Sequence, residues 1–164
     1  MIIDAHAHLL APDALYAFRA NLLADGGYHL TQPKISDDAI AATSASNVAT
    51  MDAVGTDVQL LSPRPYHQGH SMRPTRLVHA WIRANNDVIA RTVRMHPTRF
   101  AGVAGLPITP GNPVQDALPE LHRALEELGF VGVSVNPDPS EGTADGPGTG
   151  RPVLVSAVRE ARRT

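Results

Sequence analysis

The chain contains no cysteine. Disulfides and thiolate chemistry are therefore excluded, and any metal site must draw on histidine, carboxylate or water. There is also no long apolar run, and no basic stretch ahead of one: Met1 leads straight into Ile2-Ile3. This pattern predicts neither a signal peptide nor a membrane-spanning helix and makes the cytoplasm the expected location. An excess of positive charge is missing too. With 14 basic against 16 acidic residues the formal charge is -2, which argues against nucleic acid or an anionic membrane as a partner. The glycines of "GVAGL" do not form a G-x-G-x-x-G before a helix, and there is no P-loop and no G-x-S-x-G elbow. No internal repeat is visible.

What is present suits one packed domain of 164 residues, 43% hydrophobic and 18% charged. Short apolar runs at Ile2–Ala5, Asp57–Leu61, Phe100–Leu106 and Phe130–Val135 read as strands. Between them, helical patterns run over Asp13–Ala24, from an N-cap at Ser36 to about Val54, over Thr75–Met95, and over Val114–Leu128. The order is β-α-α-β-α-β-α-β. Nearly continuous apolar strands separated by helices indicate a parallel sheet covered on both faces. The choices are a doubly wound sheet or a (β/α)8 barrel. A whole barrel needs about 250 residues, so four strands supply about half of one. After Val135 the texture changes to Gly, Pro and small polar residues, and the end is basic. The expected division is a barrel-like segment over 1–140 and a loop with a divergent tail over 141–164. A sheet of four parallel strands also has two open edges. The isolated chain is therefore expected to aggregate or to form a homo-oligomer that covers them.

The opening stretch is "MIIDAHAHL". Residues two apart on a strand share a face, so His6 and His8 project together just past the first strand. In a parallel barrel that end carries the active site. Two neutral imidazoles side by side can ligate a divalent metal such as zinc, although two are too few for a tight site. Solvated loop histidines are the plainer reading. Asp4 could orient the chain or an imidazole.

"MIIDAHAHL" resembles the N-terminal signature of the amidohydrolase superfamily. More narrowly, it resembles the branch that holds aminocarboxymuconate-semialdehyde decarboxylase and 4-oxalomesaconate hydratase. "KISDD" (34–38), "GTDVQLLSPR" (55–64), "HPTRFAGVAGLP" (96–107) and "ELGFVGVSVNPDPS" (127–140) extend the resemblance, and the "SPR" and "NPDPS" elements point to the hydratase side. The resemblance implies a (β/α)8 barrel with a divalent metal, zinc first, held in part by His6 and His8. It also implies a metal-dependent lyase that acts on a small polycarboxylate from aromatic-compound breakdown. A related decarboxylase, or a truncated remnant without activity, are the alternatives. The remaining metal ligands of such a family lie beyond the matched region, and no general base is assignable.

Arg64 in "SPRP" stands where a guanidinium could grip a substrate carboxylate, or it could simply brace a loop. His67 and His70 lie in the next loop, where they could touch substrate or bind metal, with His70 the first candidate for substrate; solvated loop histidines are the alternative. Asn136 could line the pocket or make an Asx turn with Pro137, and Asp138 has a weaker version of the same claim. His79, His96 and His122 read as structural, and Trp81 as core.

Overall fold

The computed structural model describes residues 1–30, 32–64 and 68–135. Strand β1 spans Ile3–His8, β2 Val58–Ser62, β3 Phe100–Gly105 and β4 Gly132–Ser134. All pairings are parallel, in the order β1-β2-β3-β4. This sequential order settles the choice left open by the sequence. A doubly wound sheet reverses direction at a switch point, whereas a barrel adds each strand beside the last. The sheet is half a barrel.

Three helices cover it: α1 Asp13–Asp25, α2 Asp37–Val54 and α3 Arg76–Met95. Ser36 caps α2 as expected. Its Oγ accepts the Ala39 N–H at 3.2 Å, and Asp37 and Asp38 lie in the first turn, where the helix dipole favours negative charge. Gly55 ends α2 with φ 75°, a left-handed conformation that glycine adopts without steric cost. Helix α3 is buried on several faces, with Leu77, Trp81, Ile82, Val88 and Ile89 all inside. It packs against α1, α2 and β3. Trp81, only 1% exposed, sits in one apolar cluster with Leu15, Phe18, Ile40 and Met51. His96 caps α3 through its backbone N–H, and its Nε2 hydrogen-bonds Ser44 Oγ at 3.0 Å, tying α3 to α2.

Two expectations need correction. The histidines lie inside β1, which runs on to His8, and not beyond it. The fourth helical stretch is not one regular helix. It is a 3-10 turn over Val114–Ala117, a short helix α4 over Leu118–His122, and a π turn over Arg123–Glu127. Pro119 can stand only in the first turn of a helix, so α4 starts there instead of continuing from Val114. Downstream, the Glu120–Arg123 pairing gives the segment a polar inner side. The β4 ladder is also shorter than the apolar run Phe130–Val135 suggests. Gly102 on β3 explains how Phe130 enters the core: a Cβ at Gly102 would overlap the Phe130 ring.

Candidate active site at the C-terminal ends of the strands

Strand β1 carries a bulge. Asp4 pairs with Gln59 and Ala7 with Leu61, so β1 spends one more residue than β2 over this stretch. Bulges re-aim side chains and are common beside active sites. The inserted stretch, Ala5-His6, brings the His6 and His8 rings together edge to face, centroids 4.8 Å apart. Asp4 fixes the bulge from both of its oxygens. Oδ1 accepts the His6 N–H at 3.1 Å, and Oδ2 accepts Gln59 Nε2 at 3.1 Å. Asp4 thus orients the chain, one of the two roles foreseen for it.

Ser62 lies opposite His8 in the ladder, and its Oγ meets His8 Nδ1 at 3.1 Å. The same hydroxyl donates to the Ala7 carbonyl at 3.2 Å, which leaves its oxygen to accept from the ring. His8 Nδ1 therefore carries the proton, and Nε2 remains as the ligating atom. This is the usual way a neighbouring group sets the tautomer of a metal-binding histidine. Burial lowers the pKa of His8 most, and the nearby His6 and Arg64 lower it further; hydrogen bonding to the Ser62 backbone and the charge of Asp4 oppose them. The net effect keeps the ring neutral, the form that binds metal. Arg64, half-buried two residues beyond β2, is thus close enough for His8 to feel its charge. The protonated ring is disfavoured in the fold, so His8 is expected to titrate below the ordinary imidazole value in an NMR pH series. Arg64→Ala is expected to move that midpoint upward. An unmoved midpoint would place Arg64 away from the pair.

His70 is neither loose nor solvated. It is 1% exposed, and its ring Nδ1 hydrogen-bonds the Ile108 carbonyl at 2.5 Å. Arg73 adds a bond to the Pro110 carbonyl at 3.0 Å. The loops after β2 and β3 are thereby fastened together. His67, Asn136, Asp138 and the 141–164 tail lie outside the described residues. Sequence reading passed over Ser62 and Gln68. Only the β1–β2 register shows that Ser62 faces His8. Gln68 is 1% exposed, its Oε1 lies near Gly105, and neither of its amide atoms has a hydrogen-bond partner among the described residues. A cleft of about 770 Å³ on the helical side, lined by Arg76, His79, Arg83 and Glu120, does not include the histidine pair.

The donor set fits a divalent metal, but only in part. Two imidazoles stand side by side, and no group of three or more His, Cys, Asp or Glu residues suited to a metal occurs among the described residues. No helix among those residues is long and apolar enough to cross a membrane.

Comparison with known proteins is consistent with this geometry. The sequence matches the amidohydrolase family over residues 3–160. It is 35% identical over 147 residues to 2-keto-4-carboxy-3-hexenedioate hydratase of Sphingobium sp. (strain SYK-6), covering 87% of this chain and 43% of that one. The crystal structure of 4-oxalomesaconate hydratase from Rhodopseudomonas palustris superimposes with a TM-score of 0.85 at 30% identity, over 98% of this chain and 48% of that one. A dihydroxybenzoic acid decarboxylase from Polaromonas sp. JS666, solved with bound manganese and an inhibitor, matches with a TM-score of 0.52 at 27% identity, over 82% of this chain and 37% of that one. The chain spans less than half the length of each of these relatives.

Proposed function

The chain belongs to the amidohydrolase family, and from that premise we propose that it carries half of a metal-dependent hydratase site for a small polycarboxylate of aromatic-compound breakdown, of the 4-oxalomesaconate kind. The observation that carries this reading is the His6–His8 pair at the carboxyl end of β1, with Arg64 beside it. His6 and His8 would hold a divalent ion, zinc or manganese. Bound there, such an ion supplies Lewis-acid polarisation of a water or a substrate oxygen. Ser62 holds the His8 ring by Nδ1 and leaves Nε2 to the metal. Arg64 would grip a substrate carboxylate, since a guanidinium presents paired N–H donors to a planar anion. An arginine whose charge reaches the histidine pair makes sense when an anion lies between them. His70 would keep the loops after β2 and β3 in register around the substrate.

One feature supports an alternative. The decarboxylase relative favours loss of carbon dioxide from a related acid. Zinc- and manganese-loaded protein incubated with 4-oxalomesaconate, followed by NMR for water addition and by a carbon dioxide assay, separates them. Hydration is expected to be weak or nil from this chain alone. Metal-dependent binding of the polycarboxylate is expected to be measurable, with Arg64→Ala weakening it about tenfold or more, as for loss of a charged hydrogen bond. Carbon dioxide release would favour the decarboxylase, and no metal-dependent binding at all would sink the site.

A further inference from the structure

The cleft on the helical side takes no part in the histidine site, and every residue that lines it precedes β4. Its volume, about 770 Å³, lies within the range of small-molecule sites. One wall is a stripe of α3. Arg76, His79, Ala80 and Arg83 line it, and a helix of 3.6 residues per turn puts these positions on one side. Arg76 and Arg83 leave the helix two turns apart, about 10 Å along its axis. The facing wall carries Asp116, Pro119 and Glu120, and Pro107 lines the same space.

Neither arginine has a carboxylate to itself. Arg76 donates from Nε to the Gly27 carbonyl at 3.2 Å and from Nη2 to the Gly26 carbonyl at 2.9 Å. Both partners are neutral, so its charge stays uncompensated. Arg83 approaches Glu120 at 3.6 Å. That carboxylate is already held by Arg123 on both oxygens, at 2.9 and 2.6 Å, and by Asn86 at 2.7 Å. The Arg83 side chain is 50% exposed, which leaves its guanidinium open to a ligand. Asp116 is the opposing charge; it is exposed and accepts from Asn112 Nδ2 at 3.3 Å.

We propose that this cleft binds a flexible organic dicarboxylate, one end on Arg76 and the other on Arg83, with its carbon chain against Ala80, Pro107 and Pro119. Spacing selects this class. Two cations converging on one point would suit a compact anion such as phosphate. These two are set two turns apart with an alanine between them, and an apolar chain spans that gap where a single phosphate does not. Guanidinium groups grip planar carboxylates through paired N–H donors. Arg76 has Nη1 left for this, and its bonds to Gly26 and Gly27 hold it in place before the ligand arrives, which lowers the ordering cost of binding.

Ligand-observed NMR on the full, metal-stripped chain tests the site, with adipate, propionate and inorganic phosphate as probes. Adipate is expected to bind with a Kd on the order of 1 mM, the scale that so small a ligand allows. Propionate and phosphate are each expected to bind about tenfold or more weakly, for want of the second contact. Arg83→Gln is expected to weaken adipate about tenfold, as for loss of a charged hydrogen bond, and Arg76→Gln likewise. Because Arg83 meets solvent, its variant decides the matter if loss of the Gly26 and Gly27 contacts unfolds the other. Asp116→Asn is expected to tighten adipate severalfold by removing a like charge. Adipate binding that is lost with Arg64→Ala would place the ligand in the barrel mouth and overturn the cleft. Phosphate or propionate binding as tightly as adipate would overturn the dicarboxylate. No saturation at tens of millimolar, or binding indifferent to Arg83→Gln, would overturn the site itself.

Discussion

Arg123→Ala is expected to destabilise the fold by about 3–5 kcal/mol, the usual cost of removing one partner from a buried ion pair. Arg123 donates to both oxygens of Glu120, from Nε at 2.9 Å and Nη2 at 2.6 Å, and from Nη1 to Asp87 at 2.7 Å. Burial alone would make the guanidinium easier to deprotonate, but the hydrogen bonds to Glu120 and Asp87 more than offset this and keep it charged. Both side chains of the Arg123–Glu120 pair are over nine-tenths buried. Without Arg123, Glu120 keeps Asn86 and a longer contact to Arg83 at 3.6 Å, too little to neutralise a buried carboxylate. Urea titration measures the loss. Arg123→Lys is expected to recover only part of it, because an ammonium cannot reproduce the two-pronged grip. A loss under about 1 kcal/mol would put Glu120 in a solvated setting, where surface pairs of that worth belong.

Asn86→Ala is expected to cost about 2–4 kcal/mol, since it leaves two or three buried polar groups unmatched at roughly 1–3 kcal/mol each. Asn86 Oδ1 accepts the Gly105 N–H at 3.0 Å, and Nδ2 donates to the Gly105 carbonyl at 3.1 Å and to Glu120 at 2.7 Å. A side chain on α3 thus copies a strand partner and finishes the end of β3. Amide hydrogen exchange should show the change locally, with Gly105 losing protection before the Trp81 core does. Both substitutions act on Glu120, so the double variant should lose less than the sum of the two singles. Strict additivity would show that the two residues brace separate regions.

The half-barrel was legible because its signals are local and redundant. Apolar runs, the Ser36 cap and Gly55 fix α2 and its neighbours without help from distant residues. The segment 114–127 was misread because its leucine spacing is helical while Pro119 restarts the helix within it. Pattern alone did not weigh a buried Glu120–Arg123 pair that also binds Asn86 and Asp87 of α3. The site divides in the same way. The alternation in "DAHAH" placed His6 and His8 on one side, but the bulge that aims them depends on the β1–β2 register. Ser62 emerged only from that register. His70 looked like a loop residue, and its burial follows from the neighbouring loop folding over it, which no short stretch of sequence records.

The strand pairings have a consequence for how the chain is made. Ile3 meets Val58, Gln59 meets Phe100, and Val103 meets Gly132, so each crossover is shorter than the one before. Loop-closure entropy favours the shorter crossover, but doubling a loop costs only about 0.6 kcal/mol. The first crossover is about twice the last, so the entropic preference for starting at the C-terminal end is worth no more than that. Synthesis imposes the opposite order at several residues per second. The β1–β2 pair, with its histidines and Ser62, can therefore leave the ribosome and assemble while β4 is still untranslated. A chain diluted from denaturant has no such schedule. The nascent chain is expected to build its sheet from β1 onward, whereas the refolding chain has only a weak bias toward β4.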